Sequence, residues 1–221
     1  MEPLLVTARL RNGFAASDPW SPALDAILAY WALRERMGEA EFTASAADAA
    51  TLRPVEGLPL ERVEHGGLWW YCCSSPIYTD AAQTLRYYHR RFDATLAERH
   101  AEITRKRVEI KAGPYKASRL SQVVHVCGAV QWHVIGDAPE ILRLLRRCSA
   151  IGAKINAGFG AVAEWRVDPG GDALLARYHR PLPEGYAMEH GVEGPTMPWA
   201  IRPPARLRSN QTLCVMPDAG A

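Results

Sequence analysis

The stretch Gly152-Ala-Lys154-Ile-Asn156-Ala-Gly158-Phe159-Gly160 follows an amphipathic helical pattern and precedes a strand pattern, and that order decides how the chain is read. Phosphate loops of the P-loop and Rossmann kinds run strand, glycines, helix, because the phosphate rests on the helix N-terminus. Here the order is reversed. Gly152 and Gly158 enclose five residues rather than four, Phe159 stands where a Walker lysine would be, and no GxGxxG can be drawn. A nucleotide is therefore disfavoured, and no cofactor is expected. What remains is a flexible, amide-rich turn bearing Lys154 and Asn156, suited to close approach of a backbone to an extended polyanion. A plainer reading of the same residues is a helix C-cap at Gly152 and a tight turn into the strand.

Working outward, Asp137-Ala-Pro-Glu140 has the caps of a helix whose apolar stripe is Ile141, Leu144, Leu145 and Cys148, with Arg143, Arg146 and Arg147 off the stripe. Before it, residues 122 to 135 alternate as one long strand, with Val124, Val126, Gly128, Val130, Trp132 and Val134 inward and His125, Cys127, Gln131 and His133 outward. After the loop, residues 161 to 167 form a strand stopped by Asp168-Pro-Gly-Gly. At the other end, residues 4 to 11 alternate with Val6, Ala8 and Leu10 on one face. Asn12-Gly13 closes that strand, and Ser21-Pro22 supplies the cap and first-turn proline of a helix from about 22 to 37, striped by Leu24, Ile27, Leu28 and Trp31. Residues 68 to 74 read as a short apolar strand.

The order strand, helix, strand, excursion, strand, helix, strand is an α+β frame, the βαββαβ split repeat of ferredoxin-like domains. It spans residues 1–168, with a basic thumb insertion at about 79–120 and a proline-rich C-terminal extension over 169–221 that holds one strand at 212–216. The open sheet face would carry Arg9, Arg11, Gln131 and His133, a platform of the kind single-stranded RNA uses, and the extension is expected to cover part of it or to pack at its edge. Within the insertion Leu85, Tyr88, Phe92, Leu96 and Arg99 recur at helical spacing, so it reads as a helical or helix-and-ribbon excursion with Tyr88 in the core.

Net charge is only +2, but it is concentrated. Between positions 86 and 119 stand ten cations, Arg86, Arg90, Arg91, Arg99, Arg105, Lys106, Arg107, Lys111, Lys116 and Arg119, against Asp93, Glu98, Glu102 and Glu109, a balance of +6 that leaves −4 elsewhere. Intrahelical ion pairs would account for part of that segment, not for the excess. Such a concentration is the footprint of a phosphate backbone. The polyanion is expected to meet Arg86, Arg90, Arg91, Arg105, Lys106, Arg107, Lys111, Lys116 and Arg119 from the excursion, Arg146 from the second helix, and Lys154, Asn156, Gly158 and Gly160 from the loop. Tyr87, Tyr88 and Tyr115 would be available for base stacking where they are not packed in the core, the alternative the stripe favours for Tyr88.

Several classes drop out. No run of about 18 apolar residues occurs and Arg9 comes too early for a signal peptide, so a cytoplasmic protein without membrane contact is expected. Five cysteines without CxxC spacing read as small buried residues, with no metal site. No GxSxG, HExxH or EF-hand loop is present. An acylphosphatase-like phosphate loop at residues 12 to 20 lacks the glycines for an anion nest.

The helix and loop from Leu142 to Val162 resemble those of the RAMP superfamily of CRISPR-associated proteins, and the basic excursion resembles the thumb of its Cas-five branch. The likeness extends to the Cas-five-type subunit of type IV CRISPR effector complexes and covers roughly residues 1 to 168. It implies a noncatalytic protein that holds the 5′ handle of a CRISPR RNA, abuts the backbone (Cas-seven-type) and large-subunit proteins, and lies near target DNA. The rival within the superfamily is a metal-independent endoribonuclease of the Cas-six type, which needs a general base. His89, His100, His125 and His133 are the material for one, but none has a spacing that singles it out, and no catalytic residue is expected.

Overall fold

The alternation in Leu4-Leu-Val6-Thr-Ala8 yields a strand with one dry face: Leu4, Val6 and Ala8 are fully enclosed while Arg9 is exposed. The computed structural model describes residues 1–38, 53–93, 95–96, 99, 111 and 116–218. In chain order its strands and helices are β1 (Glu2–Leu10), β2 (Phe14–Ala15), α1 (Leu24–Met37), β3 (Arg62–His65), β4 (Leu68–Tyr71), β5 (Ala82–Arg90), β6 (Ser118–Val126) and β7 (Ala129–Gly136). There follow α2 (Ala138–Leu145), β8 (Val162–Pro169), α3 (Ala173–Tyr178), β9 (Leu182–Pro183), α4 (Glu184–Glu189), β10 (Thr196–Ala200) and β11 (Gln211–Val215). The architecture is mixed α/β, with several small antiparallel sheets.

In the central sheet β1 lies between β7 and β8, antiparallel to both, with Val6 opposite Trp132 and Val167. Residues 72–77 run along the outer edge of β7 through bridges from Cys73 to Val134 and from Ile77 to Gln131. The buried face carries α1 and α2, whose Leu24, Leu28, Ile141, Leu144 and Leu145 share a core with Val6, Val130, Trp132 and Val134. Each such side chain contributes about 1.5–3 kcal/mol when fully enclosed. The Trp132 indole N–H donates to the carbonyl of Pro22 at 3.0 Å, so this large ring is buried with its polar atom satisfied. Asp137 caps α2 as expected, accepting from the Glu140 amide at 3.1 Å. The first helix starts later than expected: Ser21-Pro22 is a cis peptide and Ala23, with no side-chain bond, is the residue before α1.

Two expectations in the middle of the chain need correction. Residues 122 to 135 are two strands, since Cys127-Gly128 interrupts them and each part pairs elsewhere, β6 with β5 and β7 with β1. The interruption also changes the faces, so His125 and Cys127 are buried while Val126 is 39% exposed. Second, of the helical and helix-and-ribbon readings, 82–90 takes the ribbon form, a strand where the stripe suggested helix, and Tyr88 is exposed rather than core. A helix striped by Leu85 and Tyr88 would need a core to bury them. The segment instead satisfies its backbone against β6 over nine paired positions, Ala82 to Arg90 against Val126 to Ser118.

Beyond Gly170, β11 lies between β10 and β9, and α4 packs beside them. The hairpin of β3 and β4, turning at Gly66-Gly67 with both φ positive, joins this region to the main core. Successive residues of β4 point to opposite faces, so Trp69 enters the main core and Trp70 packs with Leu182, Tyr186, Ile201 and Met216. All five cysteines are buried and free, and burial pushes the thiols of Cys72 and Cys127 up to about 11 and that of Cys214 to about 12. None is poised as a nucleophile.

Candidate nucleic-acid interface

The glycine loop is built on the segment that follows β1. Asn12 donates its side-chain amide to the carbonyl of Gly158 at 2.7 Å, the Gly160 amide donates to Gly13 O at 2.9 Å, and the Ala153 amide to Ala15 O at 2.7 Å. Close approach explains the glycines: a Cβ at Gly160 would lie 1.8 Å from Ile151 O, and one at Gly152 2.5 Å from Ala15 O. Gly152 is no helix cap, since α2 already ends at Leu145, with Arg146 as the residue after it. Between these anchors Ile155–Ala157 makes a 3-10 turn framed by Lys154 and Gly158, both left-handed, at φ 57° and 87°. A left-handed lysine is uncommon, and Lys154 is exposed. The amides of Ile151, Ala153, Ala157, Gly158 and Gly160 are all engaged within the loop or with residues 13–15. The loop therefore presents side chains, Lys154 and Asn156, more than free amides.

The same anchoring segment is the root of the basic ribbon. Phe14–Ala15 pairs with His125 and Val124 of β6, and Gln122 Nε2 donates to Ala16 O at 3.1 Å. Ribbon and loop thus rise from one base, and they touch: Lys154 Nζ lies 5.0 Å from the centre of the Tyr88 ring. Strand alternation puts Arg86 and Arg90 on the Tyr88 face of the ribbon. Arg119, opposite His89, is on the other face, with its guanidinium 3.8 Å over the Tyr87 ring. Arg91, Lys111 and Lys116 are exposed beside the ribbon or beyond it, and Arg146 is exposed at the end of α2. Arg105, Lys106, Arg107, His100 and Tyr115 lie outside the described residues.

On the expected sheet platform Arg11 is exposed, but the other polar groups are engaged. Arg9 and Arg166 both pair with Glu164, at 3.5 and 2.9 Å, Gln131 donates to Thr7 Oγ1 at 3.4 Å, and His133 Nδ1 accepts from the Asp172 amide at 2.9 Å. Burial holds the His133 imidazole below its usual value. His125 is enclosed, its Nδ1 2.8 Å from Asp80 Oδ2 and its ring stacked on Phe14. Among the described residues no three His, Cys, Asp or Glu side chains gather to hold a metal ion, and no helix is long and apolar enough to cross a membrane.

Sequence reasoning missed Asn12, Gln122 and the exposure of Tyr88. The Asn12-Gly13 pair was a visible signal, but its reading as a strand end says nothing of a bond made 146 positions away. No curated protein matches the chain. The family model described as "CRISPR type IV associated protein Csf3" matches residues 2–217, nearly the whole length over which ribbon, loop and buried sheet are built, and the chain therefore belongs to the type IV CRISPR-associated Csf3 family.

Proposed function

We propose that this chain is a noncatalytic subunit of a type IV CRISPR effector complex that grips the 5′ handle of the CRISPR RNA between its ribbon and its glycine loop. The observation that carries the reading is the approach of Lys154 to Tyr88, which makes one cation and aromatic surface of two elements distant in sequence. A single strand needs cations for its phosphates and flat rings for its bases, and Arg86, Arg90, Lys154 and Tyr88 supply both on one side of the ribbon. On this reading the frame is a ferredoxin-like RAMP domain of the Cas-five kind, with 72–77, β7, β1 and β8 as its sheet and the ribbon as its thumb. Backbone (Cas-seven-type) and large-subunit proteins are its neighbours, and target DNA passes close by. The geometry of His125 and His133 favours structural roles over that of a general base.

Labelled repeat RNA incubated with the purified chain without metal tests this. Intact RNA bound with a steep salt dependence is expected, and replacing Arg86 and Arg90 together by Gln should weaken binding more than Arg119→Gln does. Site-specific cutting of the RNA would overturn the proposal in favour of an endoribonuclease.

A further inference from the structure

Above its root the ribbon of β5 and β6 leaves Leu85, Tyr87, Tyr88, Leu120 and Val123 exposed, and a two-stranded ribbon without a packed face does not hold its own orientation. Tyr88 stands beyond Gln83 on β5 by roughly 17 Å, at about 3.4 Å per residue. A tilt of about 10° at Gln83 would carry the Tyr88 ring by about 3 Å along that lever. The Lys154 ammonium, 5.0 Å from the ring centre, would then be out of reach of it. The grip depends on what fixes the root.

One carboxylate brackets that root. Gln83 of β5 and His125 of β6 face each other across the ribbon, and Asp80 Oδ2 accepts from both, from Gln83 Nε2 and from His125 Nδ1, each at 2.8 Å. Asp80 Oδ1 is buried and finds no partner among the described residues, so the hydrogen bonds of this carboxylate all go to one rung, at a cost in desolvation. Burial, with Asp80 adding to it, pushes the neighbouring Tyr78 up to about 12 and Cys127 to about 11, so neither brings a second negative charge to the bracket. The His125 ring stacks on Phe14 with 5.2 Å between centres, and Tyr78 closes edge-on against both. A Cβ at Gly13 would lie 2.2 Å from His125 O, so the chain at 13–14 is flush with the rung, and residues 13–15 are also the anchors of the glycine loop. Bracket, rings and loop are one contiguous body. We infer that Asp80 is a positioning residue of the RNA grip: by tying the Gln83–His125 rung to the segment that enters the ribbon, it holds Tyr88 against Lys154 before RNA arrives. The inference rests on the RNA reading of that surface, and a site formed in advance binds more tightly because less ordering is left to do.

Replacing both partners by apolar groups, Asp80→Leu with His125→Phe, removes the bracket and keeps a ring on Phe14. Spin labels attached through Ser121→Cys, on the ribbon face away from Tyr88, and Ala163→Cys, exposed on β8, report the ribbon angle in the purified chain, whose own cysteines are buried. Without RNA, one narrow distance distribution is expected in the parent and a broad one in the double variant. Labelled repeat RNA should bind the double variant about tenfold more weakly, with the salt slope unchanged because no phosphate contact is lost. Asp80→Asn, which keeps an acceptor oxygen, should stay near the parent in both measurements. In a chain that already carries Lys154→Asn and Tyr88→Leu, removing the bracket should cost no further affinity. A role confined to stability would lower the melting temperature and leave distances and affinity as they were. That result, broadening without loss of affinity, or a further loss in the chain lacking Lys154 and Tyr88 would overturn the inference. If the double variant does not fold, Gln83→Leu, at an exposed side chain, carries the same expectations to a smaller degree. A parent chain that binds no RNA refutes the grip, and the distances measured without RNA still decide whether Asp80 fixes the ribbon.

Discussion

Arg180 lies 3.6 Å from Asp25 with both side chains less than a tenth exposed, so a residue past the last strand of the central sheet is locked to the first helix. The guanidinium also donates to Tyr71 and Cys73 on one side and to Ile201 on the other, stitching β4, α1 and the β10 region together. Desolvation raises the pKa of the Asp25 carboxyl, opposed by the charge of Arg180. Such a pair is costly to break from one side, because the survivor is left buried and uncompensated.

Asp25→Ala should therefore destabilise the chain by about 3–5 kcal/mol in denaturant unfolding. Replacing both partners with apolar residues, Asp25→Leu with Arg180→Met, should recover much of that loss. A single variant as stable as the parent would show that the pair does not hold the two regions together.

Gly160→Ala should be the most damaging change in the loop, since its Cβ would meet Ile151 O at 1.8 Å and the residue has φ 71°. Backbone strain and overpacking together predict a loss of at least about 2 kcal/mol. Gly158→Ala meets nothing within 4 Å and should cost only the strain of its φ of 87°. Thermal melts of the two variants distinguish packing from strain.

Lys154→Asn keeps a side chain that tolerates the left-handed conformation and removes the charge. On the RNA reading it should weaken binding and reduce the slope of log K against log salt by about 0.7, the value of one single-strand phosphate contact. Tyr88→Leu should weaken binding with little change in slope, because stacking releases no counterions. Filter binding at several salt concentrations separates them.

Burial lowers the pKa values of His133 and His179 from 6.5. The unfolded chain takes up protons near that value while the folded chain resists them, so stability falls as pH drops below about 6.5 and is unaffected by these groups above it. His133→Asn, which keeps an acceptor for the Asp172 amide, and His179→Asn should each flatten the pH dependence of the melting temperature between about pH 5 and 7. An unchanged slope in both would locate the acid sensitivity elsewhere.

Local pattern was enough to place β1, α1, α2 and β8, because each has a buried face whose period, 2 or 3.6, is written in its own residues. The concentration of charge between 86 and 119 and the order of helix, glycine loop and strand were likewise readable from composition and spacing. Tertiary structure alone decided what lacks a private core. Leu85 and Tyr88 fit a helical stripe, yet 82–90 became a strand because β6 offered it hydrogen-bond partners, and both side chains stay exposed. It also decided which cations are available: Arg9 and Arg166 are paired with Glu164, whereas Lys154 stands over Tyr88, and no local pattern distinguishes these fates. Periodicity records a segment's own burial, while pairing across the chain depends on which surfaces folding brings face to face.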